Sequence, residues 1–109
     1  MNPNDVFRGF MEAGNDYADK NGAADLLEGT LKTLKAKLTL DAKNLEGCSM
    51  VEAENHALAS EQYRKALCDA VESRTAANRA KVRYQATQAL WEAQRTVEAT
   101  SRAAMRSAT

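Results

Sequence analysis

The sequence predicts an all-α fold: an antiparallel helical hairpin with one long C-terminal helix, assembling as a coiled coil or helical bundle. Three observations lead there. The single proline among 109 residues is Pro3, so nothing after Asn4 forbids helix outright. Apolar residues recur at alternating spacings of three and four, the helical period and not the strand period. Gly47, followed by Ser49, separates two long periodic stretches in the way a helix stop and a new helix start do.

Composition sets the limits on that fold. Apolar residues make up 44% of the chain, but many are alanine and only 6% of the chain is aromatic. A chain of this size buries only about two-thirds of its unfolded surface. An alanine-rich stock is thin for a compact monomeric core, so a homo-oligomer or a protein partner is expected to cover the helices. Two cysteines, Cys48 and Cys68, make no disulfide framework and read as free thiols of a reducing compartment. The first residues are polar and do not form a signal sequence, and no apolar run approaches the ~20 residues of a membrane span. The expectation is a single cytoplasmic helical domain over residues 1–109.

Residues 1–22 read as an N-terminal arm or a short helix. Phe7, Phe10, Met11 and Tyr17 share one broad face, with Val6 at its border. Asn4 or Asp5 is the expected cap. Gly9 and Gly14 weaken this helix by about 1 kcal/mol each, and Asn21-Gly22 reads as a stop and turn.

Residues 23–46 form a leucine heptad helix. Leu27, Leu31, Leu34, Leu38 and Leu45 are spaced four, three, four and seven, with Asp41 at the missing core position. Lys32, Lys35, Lys37 and Lys43 lie off this seam. Gly47 ends the helix, and Ser49-Met50-Val51-Glu52 fits a capping box.

Residues 49–106 form the long helix, about 80 Å if unbroken. Its seam runs through Tyr63, Ala66, Ala70, Ser73, Ala77, Ala80, Tyr84, Thr87, Trp91, Gln94 and Glu98. A second stripe, Val82, Ala86, Ala89 with Leu90, Ala93 and Val97, favours contact with more than one neighbour and hence a bundle. Continuity is expected, with Ser73 to Asn78 as the weakest stretch because Ser, Thr and Asn compete for backbone hydrogen bonds. A tight turn at residues 47–49 makes the leucine helix and the long helix antiparallel. The leucine helix, about 36 Å long, then covers the long helix only to about Arg74. The Tyr84–Trp91 stripe beyond it is expected to need another subunit, with the N-terminal arm reaching part of it.

No catalytic, cofactor or metal site is expected. His56 is the only histidine, and the two cysteines lack the Cys-x₂-Cys spacing of a zinc site. A nucleophile pair of His56 with Cys48 or Cys68 has no third, orienting group. Glu52 and Glu54 face different ways on a helix, and the glycines are too scattered for a phosphate loop. No small-molecule substrate is implied.

Charge is the remaining signal. The net charge is zero, yet residues 1–62 hold six basic and eleven acidic residues, and residues 63–109 hold nine and four. Arg74, Lys81, Gln88, Arg95 and Arg102 recur every seven residues beside the aromatic seam, with Arg79, Arg83 and Arg106 nearby. Two readings stand. The row can track a phosphate backbone, with Tyr84 and Trp91 stacking on bases. Alternatively it pairs with acids of a neighbouring helix, such as Asp16, Asp19, Asp25 or Glu28.

The stretch from Ala53 to Arg106, with Tyr63-Arg64-Lys65-Ala66-Leu67 near its start and Glu98-Ala99-Thr100-Ser101-Arg102-Ala103-Ala104-Met105-Arg106 at its end, resembles small helical proteins of tailed bacteriophages and prophages. Such proteins are often encoded near recombination functions, and most have no assigned activity. The resemblance implies a host bacterial cytoplasm and carries no functional residues over. The leading expectation is a non-enzymatic oligomer acting by protein–protein interaction, as a phage accessory, an adaptor or an inhibitor of a host machine. The alternative is a nucleic-acid-binding, recombination-associated accessory. The expected partner seam is Leu27, Leu31, Leu34, Leu38, Leu45, Tyr63, Ala70, Ala77, Tyr84 and Trp91. The expected contacts to nucleic acid or an acidic partner are Arg74, Arg79, Lys81, Arg83, Arg95 and Arg102.

Overall fold

Pro3 starts the first helix, because a residue without an N–H and with φ already helical suits the first helical position. The structure, a computed structural model, describes residues 2–108. Asn2, and not Asn4 or Asp5, is the cap: its Oδ1 accepts from the Asn4 N–H at 3.0 Å, and its carbonyl accepts from Asp5 and Val6. Helix α1 spans Pro3–Glu46, α2 spans Met50–Ala59 and α3 spans Glu61–Ala108. The fold is an all-α helical hairpin, without strands among the described residues. No helix of the described residues is long and apolar enough to cross a membrane.

Helix α1 runs through Asn21-Gly22 without a break, which corrects the expected boundary between an N-terminal arm and the leucine helix. Val6, Ala13 and Ala24 are buried, and Phe10, Tyr17, Leu27, Leu31, Leu34 and Leu38 are half-buried on the same face. Packing along that continuous face outweighs a local stop signal. Leu45 and Asp41 leave the seam: both are exposed, Leu45 by 86%. Thr39 and Ala42 take their place. Leu45 lies in the last turn of α1, beside the helix end at Glu46. Thr39 is buried at little cost because its hydroxyl donates to the Lys35 carbonyl at 2.7 Å.

Gly47 adopts φ +64°, the left-handed conformation in which glycine has no Cβ penalty, and its N–H donates to the Lys43 carbonyl. Ser49 caps α2, its hydroxyl accepting from the Glu52 N–H. The chain then breaks at Ser60, while Ser73 to Asn78 stays helical. Ser60 is extended (ψ 144°), donates its N–H to the Ala57 carbonyl, and accepts the Tyr63 N–H on its hydroxyl at 3.1 Å. One serine thus closes α2 and opens α3, satisfying amides that a break leaves orphaned.

Two compact units emerge, Lys20–Ala77 and Met1–Asp19 with Asn78–Thr109, each taking part of α1 and part of α3. In the unit of Met1–Asp19 with Asn78–Thr109 the two segments are antiparallel, since contacts fall along α3 as they rise along α1. In the first unit Glu28 meets Arg74; in the second Phe7 meets Trp91 and Phe10 meets Tyr84. Among the described residues, every buried apolar residue except Val6 is an alanine. Such methyls contribute about 0.8 kcal/mol each, but they let helix backbones approach closely.

Candidate partner-docking surface

In the unit formed by Met1–Asp19 and Asn78–Thr109, the inner face of α3 is already covered. Phe7 and Trp91 sit with ring centroids 5.2 Å apart, tilted by 56°. Tyr84 stacks on Phe10 at 5.4 Å, almost parallel, and lies 6.0 Å from Tyr17. Gly14 makes room for this ladder: a Cβ there would lie 3.0 Å from the Tyr84 ring. A glycine that reads as a weakness in the sequence is therefore a packing device. The N-terminal residues, expected to reach only part of the Tyr84–Trp91 stripe, thus contact both rings, which stay half-buried. The N-terminal third of α1 covers them, because α1 does not stop at Gly22.

The rest of the expected seam of α3 lies on the same inner side. Ala70 and Ala77 are buried, and Tyr63 is half-buried.

Two members of the basic group are committed to acids of α1. In the unit Lys20–Ala77, Arg74 donates from all three nitrogens of its fork. Its Nε donates to Glu28 at 3.1 and 3.2 Å, Nη1 to Asn21 Oδ1 at 2.8 Å, and Nη2 to Asp25 at 2.6 Å and Glu28 at 2.7 Å. The hydrogen bond from Arg74 holds the Glu28 carboxyl below its ordinary pKa, and the same pairing raises the Arg74 guanidinium. Arg83 pairs with Asp16 at 3.3 Å. Three of the acids that the pairing reading names are thus partners of this row. Arg79, Lys81, Arg95 and Arg102 are exposed and form no ion pair with another described residue.

Exposed apolar residues occur on each helix, among them Leu26, Leu40, Val51 and Val71, and the longest regular run is the second stripe of α3. At about 100° per residue, Val82, Ala86, Ala89, Leu90, Ala93 and Val97 share a face turned away from the Tyr84–Trp91 side. All are exposed, Val82 by 65%, Leu90 by 44% and Val97 by 61%. The neighbouring positions Gln85, Thr96 and Thr100 are uncharged and also exposed. A continuous apolar stripe with polar margins, open along four helical turns, is the arrangement an added helix would cover.

Comparison with protein-family models, with curated proteins and with solved structures finds no match.

Proposed function

We propose that this chain is a non-enzymatic, self-associating helical protein that acts by protein–protein interaction, with the outer stripe of α3 as its docking face. The observation that supports this reading is the run Val82–Ala86–Ala89–Leu90–Ala93–Val97, apolar, in register and exposed. A second copy of the chain is the favoured occupant. Small residues allow close helix approach, and a two-fold axis across the stripe makes it self-complementary. A core of alanines, with its single buried valine in the unit that holds Val6, gives modest stability, so further burial adds weight. Such an assembly suits an accessory or adaptor role of the kind that small phage helical proteins suggest.

The basic row is a poorer basis for nucleic-acid binding. Arg74 and Arg83 are both paired with acids of α1.

Sedimentation equilibrium tests the proposal. The wild-type mass should exceed the 11.9 kDa of one chain. The variant carrying Val82→Glu, Leu90→Glu and Val97→Glu should be monomeric with unchanged helicity by circular dichroism. A wild type that stays monomeric at every concentration refutes self-association, and a variant that keeps the wild-type mass refutes the stripe as its site.

A further inference from the structure

The turn between α1 and α2 gathers three groups with lone pairs for a metal. Glu46 is the last residue of α1, Gly47 reverses the chain in the left-handed conformation, Cys48 follows, and His56 lies in the last turn of α2. His56 Nε2 is 3.1 Å from Glu46 Oε2. One ligand atom from each of Glu46, Cys48 and His56 lies within 4.8 Å of the other two. We propose that this turn binds a divalent cation of the zinc class through Glu46, Cys48 and His56.

The donor types select the ion. A thiolate and an imidazole favour zinc and its neighbours over calcium or magnesium, which take oxygen ligands. Ligands about 2.0–2.3 Å from a tetrahedral ion lie about 3.3–3.7 Å from one another. The Glu46–His56 separation is already that short, and the set as a whole is within small side-chain rotations of it. Glu46 and His56 are free to make them, their side chains being 53% and 56% exposed. Cys48 is half-buried, and its thiol donates only a long bond, 3.7 Å, to the Ala42 carbonyl. On binding, the Cys48 proton passes to solvent and the thiolate takes the metal; Glu46 and the neutral His56 each give a lone pair. Three protein ligands leave a fourth position for water. The bound ion would tie the end of α1 to α2 across the turn.

The sequence hides this site because Glu46 and His56 are ten residues apart and meet only through the Gly47 reversal. Cys68, the second thiol, is exposed and lies outside the cluster.

Cobalt(II) titration of the reduced full-length chain is the test. It should give one equivalent bound, a thiolate-to-cobalt charge-transfer band and tetrahedral d–d bands, all displaced by zinc. Cys48→Ser should abolish the charge-transfer band, and Cys68→Ser should keep it. Loss of an outer partner of a metal site costs about 10–100-fold in affinity, so His56→Ala and Glu46→Gln should each weaken binding by at least tenfold. Circular dichroism of each apo variant separates lost ligation from lost fold. No charge-transfer band in the reduced wild type, or one that survives Cys48→Ser, overturns the proposal.

Discussion

Replacing Gly22 by alanine probes whether α1 is continuous. Asn21-Gly22 has the local appearance of a helix stop, where an αL glycine would lose stability on gaining a Cβ. In the structure Gly22 is an exposed residue inside α1, with nothing within 4 Å of an added Cβ and without positive φ. Alanine in a helix interior is favoured over glycine by about 0.8–1.0 kcal/mol. Gly22→Ala should therefore stabilise the protein by about that amount. For a chain of this length, the corresponding rise in thermal midpoint is about 4 °C. Gly47→Ala is the internal control, because its φ of +64° places an alanine Cβ against the backbone. That variant should lose about 1 kcal/mol. Urea denaturation followed by circular dichroism at one fixed protein concentration reads both, so that any association contributes equally. Opposite signs for the two glycines are the expected result. Destabilisation by Gly22→Ala of the size seen for Gly47→Ala would refute the continuous helix and restore a turn at Gly22.

Gly14→Ala should forgo the gain of Gly22→Ala by at least about 1 kcal/mol, since the Tyr84 ring 3.0 Å from its Cβ is stacked on Phe10 and has little room to move. Phe7→Ala should red-shift the emission of Trp91, the only tryptophan, and cost about 1–2 kcal/mol, less than a fully buried phenylalanine because Phe7 is 45% exposed. The carboxyl of Glu28 titrates below its ordinary value of 4.5 when folded, so its contribution is complete above that pH and is lost as pH falls through the folded value. Arg74→Gln should flatten this acid limb of a stability–pH curve, and an unchanged limb would remove the Arg74–Glu28 pair as its cause. Single-stranded DNA at moderate salt should give no complex; a salt-sensitive complex lost when Arg79, Lys81, Arg95 and Arg102 become Glu would transfer the function to nucleic acid.

The covered face of α3 was legible from residue order, because alternating steps of three and four from Tyr63 to Glu98 return to one side of a helix whatever lies against it. Gly47 and Ser49 were legible for the same reason: caps are satisfied by their own neighbours within four residues. The capping capacity of Ser60 was present too, in a hydroxyl three residues ahead of Tyr63, but Ser73 to Asn78 offered a stronger local case for a break. Local signals misled where distant packing outweighed them. The Asn21-Gly22 stop yields to a face that buries Ala13 and Ala24 on either side of it. What covers Tyr84 and Trp91, which arginines are already paired, and the meeting of Glu46, Cys48 and His56 depend on residues far apart in the chain. Those were decided by the tertiary structure alone, since periodicity tells which side of a helix is covered but not which helix covers it.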